Sequence, residues 1–595
     1  TARAAGGDDE APRLLRAVLA LMDTKVDSTT LLRLARCTVE LLQVASVVGE
    51  VSARGVEAAY LNIARALFKL SKDAGNDAAF REEGLLESLL LMLGAVGDAA
   101  GAAAAVAGAG AATAELRVFI VGVLKNVSNN EENQKHIVRC GALPALLMLL
   151  RPAGGLTGSS HEAQLLIQVT ALLRNLASSS RRQRTLIDLD VFTVLSNISS
   201  VFSSNAELQV NIARVFARLT NDDAACHVLE ADPAPLQQVV RCLRENATNS
   251  ALVLRLAFAL GNLTAVSDAL RRTLILECDV AGVLPALLQR YWQQDRQLSS
   301  AGTGALQEAR QENEGVLVKL VRLAANSSIN ASVGSLLASE PVVVSTLLQV
   351  LQGKNMQDNE ELVLSATAAL TNLLYYDSPT NLLFTAESKQ SLCTVLKPML
   401  VESYNVEALV ETARALGNLS RHPDARRWIA ELRLDEALSI LLQHGDRDLV
   451  FYACGALVNM AADPRAGARL VGGGLAEKLA ALLQETPNED ADLRLVAVKV
   501  LSNLALVFDG DGHEPWPSDA LHTARDAAQL ARDAAIGAVA ANAAAGHGPS
   551  AHEALVELAQ RLVDTLPHPS SLSGGEDAAR ELAHIGAGQP VAIAA

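Results

Sequence analysis

Leucine, alanine and valine recur three and four residues apart along most of this chain, with glycine or proline at the joints. That period predicts helices, each with a broad apolar face. Residues 131–177 show the unit. Residues 131–140 predict a short helix carrying Ile137 and Val138, stopped by Gly141 as a C-cap. Ala142-Leu143-Pro144 restarts the chain, because proline is tolerated in a first helical turn. Leu146, Leu147, Leu149 and Leu150 give the second helix its apolar side, and Gly154, Gly155 and Gly158 break it. Residues 161–176 predict a third helix bearing Leu165, Ile167, Val169, Leu172, Leu173 and Leu176. Gly84, Gly282 and Gly472-Gly473-Gly474 mark the same joint between first and second helices elsewhere.

The third helix ends on a phrase close to Ala-Leu-x-Asn-Leu-Ser. Its Asn is Asn126, Asn175, Asn262, Asn372, Asn418, Asn459 or Asn503, and Lys69, Arg218 and Arg322 stand there in three degenerate copies. Successive anchors are 41 to 60 residues apart. A helical period near 40–47 residues marks stacked repeats of the armadillo or HEAT kind. One unit cannot bury its apolar face alone, so neighbours stack into a continuous core. The expected fold is all-α, a right-handed superhelical armadillo solenoid of about ten repeats. The expected map is a disordered lead at 1–12, capping helices at 13–55 and repeats over 56–508. A loop at 509–519, closing helices at 520–566 and a disordered tail at 567–595 follow. The two longest gaps are assigned to insertions, an Ala/Gly tract at 94–113 and a polar loop at 293–313.

Composition then narrows the function. The chain has 595 residues, half of them hydrophobic, with only 3% aromatic and a net charge of −16. That balance argues against nucleic acid as a partner, which would need a basic surface. The seven cysteines are scattered and never in C-x-x-C spacing, as expected of buried thiols in a reducing compartment. No apolar run approaches the roughly 18 residues of a membrane span. No signal peptide opens the chain, and its first residue is Thr1, so a longer native N-terminus is expected.

Catalytic arrangements are absent from the sequence. It holds no G-x-x-x-x-G-K-[ST], H-E-x-x-H or G-x-S-x-G, and its 11 histidines are dispersed. Asp509-Gly510-Asp511-Gly512 lacks the glutamate that would complete a calcium loop. The triple glycine lacks the Lys-Ser/Thr partner of a phosphate loop. Neither enzyme activity, cofactor, metal nor small-molecule substrate is expected.

The repeating surface is more informative. In a curved array the third helices line the concave face, so the seven asparagines would form a ladder able to hold an extended peptide by its backbone. The alternative is that each Asn caps backbone within its own repeat. Arg65, Arg214, Arg414 and Lys499 stand four residues before an anchor, on the same helix face. With Lys69, Arg218 and Arg322 they place seven bases along the groove of an acidic protein, suited to an acidic or phosphorylated peptide. Karyopherin-alpha arrays carry Trp at the minus-four position. Gly122, Ala171, Phe258, Ala368 and Gly455 stand there in this chain, which argues against a nuclear-import receptor.

Several longer strings carry a closer likeness. They are Ala66–Ser71, Asn211–Thr220, Glu361–Thr367, Asn372–Tyr376, Ala453–Asn459 and the Gly472–Gly474 joint. Together they resemble the armadillo repeat-containing protein 2 family over roughly residues 56–505. The insertions and the chain after 509 depart from it. The likeness implies a ciliary scaffold of the cytoplasm and axoneme, tied to radial-spoke assembly and intraflagellar transport. Its expected partners are a radial-spoke component and transport machinery, with no catalytic residue. The rival expectation is a general cytoplasmic adaptor in signalling or adhesion.

Overall fold

The computed structural model describes residues 27–48, 53–93, 110–152, 154–300, 306–507, 518–544 and 551–566. Every regular element among them is helical. Two compact units divide the chain, one through Val283 and one from Leu284.

In the first unit the third helices of successive repeats are α1 (Ala53–Leu70), α2 (Gly110–Val127), α3 (Ser160–Leu176), α4 (Ala206–Leu219) and α5 (Ser250–Val266). Each packs on the next in chain order. Their starts are fixed by side-chain caps. Ser159, Asn205 and Asn249 each accept a hydrogen bond from the backbone N–H three residues on, satisfying donors the helix leaves orphaned. The joint after the short first helix needs a left-handed residue. Gly84 and Gly141 supply it at φ 68° and 80°, and Asp190 and Asp279 adopt it at 59° and 62°. The apolar stripe then closes. Leu166, Val169, Leu172, Leu173 and Leu176 of α3 are fully buried. Each such leucine contributes roughly 1.5–3 kcal/mol on burial.

The second unit repeats the scheme with α6 (Gln307–Ser327), α7 (Glu360–Tyr375), α8 (Val406–Leu419), α9 (Arg447–Ala461) and α10 (Ala491–Val507). α11 (Ser518–Ala544) and α12 (Ala551–Thr565) pack on each other, and α12 covers α10.

Several sequence expectations change. The polar stretch 293–313 is largely helical: one helix runs Val280–Ser300 and α6 begins at Gln307. Its buried positions are polar, which hid the period. Asp295 is 4% exposed and pairs with Lys354 at 2.9 Å, and the buried Asn313 donates to the Tyr291 carbonyl at 3.1 Å. Gly282 lies inside that helix, and Asp279 makes the joint instead. In the Ala/Gly tract, α2 already starts at Gly110, while 94–109 lie outside the described residues. One capping helix, Ser28–Val48, is described, and the rest of 13–26 lies outside. So do most of the 509–519 loop, the lead at 1–12 and the tail at 567–595. Five cysteines are buried, whereas Cys37 and Cys140 are exposed. No single described helix is long and apolar enough to cross a membrane.

Candidate functional site

The asparagine ladder exists, but its donors face the neighbouring repeat. Asn126 Nδ2 donates to Ser71 Oγ at 3.0 Å, Asn175 to Ser128 Oγ at 2.9 Å, Asn262 to Thr220 Oγ1 at 3.3 Å and Asn459 to Ser420 Oγ at 3.0 Å. Asn372, Asn418 and Asn503 donate instead to the carbonyls of Ala325, Thr371 and Val458, at 3.0, 3.0 and 2.9 Å. The Ser or Thr two residues after an anchor is therefore the acceptor for the next repeat's Asn. This corrects the alternative reading: the amide donors do not cap their own repeat, but stitch their third helices to the one before. Ala177 stands two residues after Asn175, and the next anchor is Arg218.

The stitch gives a graded prediction. Asn503 is 1% exposed, so Asn503→Ala strips a buried carbonyl of this donor and costs about 1–3 kcal/mol of local stability. Asn262 is half-exposed, so water replaces its amide and Asn262→Ala costs less than about 1 kcal/mol. Hydrogen exchange of the flanking helices reads both, and equal losses would contradict the graded burial.

The seven predicted bases separate into paired and unpaired. Arg65 binds Glu115 at 2.6 Å, Arg322 lies 3.4 Å from Glu361, and Arg414 binds Glu411 at 2.6 Å while lying over the Tyr452 ring. Lys499 is half-buried, and burial lowers its pKa. Lys69 is exposed on α1. Arg214 and Arg218, on α4, enter a different setting. They share a cavity of about 290 Å³ with Arg174 and Asn175 of α3, Arg255 and Phe258 of α5, and Ala217 and Asn221.

None of these four guanidiniums has a carboxylate within ion-pair distance among the described residues. Arg174 donates to Asn175 Oδ1 at 2.8 Å and Arg214 to Asn211 Oδ1 at 3.3 Å. Burial, then the charges of Arg214, Arg218 and Arg255, depress the pKa of Arg174. The same field extends to Lys125 of α2, held below its usual value by burial and by Arg174. A patch of four guanidiniums without ion-pair partners among the described residues thus crosses α3, α4 and α5 of an acidic chain.

Arg174, Arg255 and Lys125 are absent from the sequence-based set because only the anchor and minus-four positions were read. Arg255 stands seven residues before Asn262, two helical turns away on the same face. Arg174 and Lys125 stand one residue before an anchor, at the edge of that face. A search at minus one and minus seven finds all three.

A second cluster joins repeats in the same unit. Ligand atoms of Glu87, His136 and Cys140 lie within 4.8 Å of one another. His136 Nε2 is 2.5 Å from Glu87 Oε1, an inter-repeat hydrogen bond. Burial and the Glu87 charge raise the Cys140 thiol pKa. No cysteine pair marks the trio in sequence, and Glu87 stands on a different helix.

Comparison with known proteins places this geometry. No family model matches the chain. Armadillo repeat-containing protein 2 of Mus musculus is 30% identical over 505 residues, covering 83% of this chain and 55% of its own length. The Homo sapiens protein is 29% identical with the same coverage, and that of Bos taurus is 29% identical over 75% of this chain. The chain spans about half the length of these curated relatives. A solved structure from work on a phosphorylation switch between cadherin and β-catenin superposes at TM-score 0.62 and 13% identity, over 92% of this chain and 98% of that one. An engineered protein superposes at 0.57 and 22% identity, over 78% of this chain and 98% of its own. These likenesses show the fold, an all-α armadillo solenoid. The chain belongs to the armadillo repeat-containing protein 2 family.

Proposed function

We propose that the chain is a non-enzymatic scaffold of motile cilia and flagella that binds a radial-spoke component and supports spoke assembly, axonemal docking or intraflagellar transport. The armadillo fold supports protein binding by a long helical surface. Family membership carries the ciliary part of the reading. The observation that carries the mode of binding is the patch of Arg174, Arg214, Arg218 and Arg255, four cations with no carboxylate within ion-pair distance among the described residues, on a chain of net charge −16. Such a patch favours an acidic partner segment lying across α3, α4 and α5, steered by long-range attraction and fixed by charge-assisted hydrogen bonds.

The biological half is tested by removing the protein from a cell with motile cilia and imaging its axonemes by electron cryotomography. The expected result is loss of spokes from otherwise intact doublets, restored by the wild-type protein. A full complement of spokes would overturn the assignment.

A further inference from the structure

We infer that the cavity between α3, α4 and α5 reads a phosphoserine or phosphothreonine side chain on the partner, so that phosphorylation of the partner sets its capture. This rests on the reading that an acidic segment crosses these helices, and it adds what that segment must carry.

The first observation is the number of guanidiniums around one small space. Arg174, Arg214, Arg218 and Arg255 line about 290 Å³, smaller than most sites for drug-sized ligands. Arginine cannot relieve crowding by losing its proton, so the mutual repulsion of these four side chains is relieved by a bound anion. A carboxylate brings one negative charge and two oxygens, enough for one bidentate fork. A phosphate monoester brings about −1.5 to −2 and three acceptor oxygens, enough to engage several forks at once.

The second observation is placement. Cations in a last helical turn complement the helix dipole, which accounts for Arg174 on α3 and Arg218 on α4. It does not account for Arg214 or Arg255, which stand in mid-helix. The third observation is that Arg218 stands where the stitching Asn stands in seven other repeats, with the acceptor hydroxyl of the preceding repeat replaced by Ala177. This repeat has no Asn stitch at its anchor and presents a guanidinium there. The other walls fit the assignment. Asn175 and Asn221 spend their amide donors on Ser128 and on the Ala217 and Arg218 carbonyls, leaving the guanidiniums to contact the anion. Phe258 and Ala217 offer apolar surface to the methylene or methyl of the modified residue.

The test uses the full chain and matched labelled peptides in a glutamate-rich background, with Ser, Glu or phosphoserine at the centre, read by fluorescence anisotropy at physiological salt. The phosphoserine peptide is expected to bind at least about tenfold more tightly than either other peptide. Arg174→Lys with Arg255→Lys keeps the charge but loses the forks, and is expected to erase that preference while retaining the Glu peptide. The preference should also shrink on acidification through about pH 6, where the phosphate regains its second proton. Circular dichroism checks that the variant stays helical. Equal affinity for phosphoserine and Glu peptides would overturn this proposal and leave the acidic-partner reading standing, whereas no binding of any peptide would remove both. Two further probes separate sources of the same chemistry. Inorganic phosphate should compete only weakly. Tighter binding to vesicles carrying phosphoinositides than to the phosphopeptide would overturn the assignment to a protein partner.

Discussion

Reversing Arg214 and Arg218 to glutamate lowers affinity for a labelled poly-glutamate peptide on the order of 10- to 100-fold, about 1.4–2.8 kcal/mol. The size follows from the setting. Arg214 is half-buried, Arg218 is exposed, and both line a cavity with two further guanidiniums, so each reversal removes an attraction and adds a repulsion, the one at 214 in a partly desolvated place. Charges on an open rim change affinity little. Arg241, exposed on the helix Ala234–Glu245 and outside the cavity, supplies that comparison, and Arg241→Glu is expected to change affinity less than about twofold. Raising salt toward 1 M shrinks the screening length from about 10 Å to about 3 Å and should weaken the wild type toward the double variant. Equal loss from Arg241→Glu would reduce the patch to net charge alone.

The largest stability effect is expected in the second unit. Asp435 is fully buried, and Arg469, from the next repeat, is its hydrogen-bonded cation. Arg469→Ala leaves that carboxylate without its partner and costs about 3 kcal/mol near neutral pH, the range for breaking a buried pair from one side. The pH dependence has a definite sign. Burial raises the Asp435 pKa above its ordinary 3.8, against the opposing pull of Arg469. The folded chain therefore keeps this proton to a higher pH than the unfolded chain, and stability falls as pH rises through the window above 3.8. Removing Arg469 raises the carboxyl further and widens that window, so the variant's deficit should be smaller near pH 5 than near pH 7.5. Asp435→Asn added to Arg469→Ala removes the charge and should recover part of the loss. A repeat array has no single unfolding free energy, so the readout is hydrogen exchange of the helices Leu434–Leu441 and Pro464–Gly472. A pH-independent deficit would show that Asp435 carries no charge to strand.

Much of this was legible because a repeat states its rules several times. Apolar residues every third and fourth position and the recurring Asn marked where the third helices end, while the starts of α2 and α6 fall inside the tracts assigned to insertions. What the pattern could not show was direction. The Asn period is real, but its cause is the Ser, Thr or carbonyl of the preceding repeat, a partner 39 to 55 residues away that only packing brings near. The closing Ser or Thr of the phrase carried part of the clue, since Ser71, Ser128, Thr220 and Ser420 are the acceptors for the next anchor's Asn. The helical stretch 293–300 was read as a loop because Asp295 occupies a buried position, which an apolar count scores as a break. Pairing of charges was invisible as well. Arg65 and Arg218 look alike in sequence, yet one is neutralised by Glu115 and the other is not.

The central claim is that an acidic partner lies on the third helices of the first unit, against the arginine cavity. It is tested most directly by placing the photo-crosslinker benzoylphenylalanine at Phe258, in the wall of that cavity, and at Met148, which is 74% exposed on a second helix. After irradiation in ciliary extract, adduct peptides are identified by mass spectrometry. The expected adduct is an acidic segment of a spoke component joined at position 258, reduced in the Arg214→Glu/Arg218→Glu background, and absent from position 148. Adducts at 148 with none at 258 would contradict it.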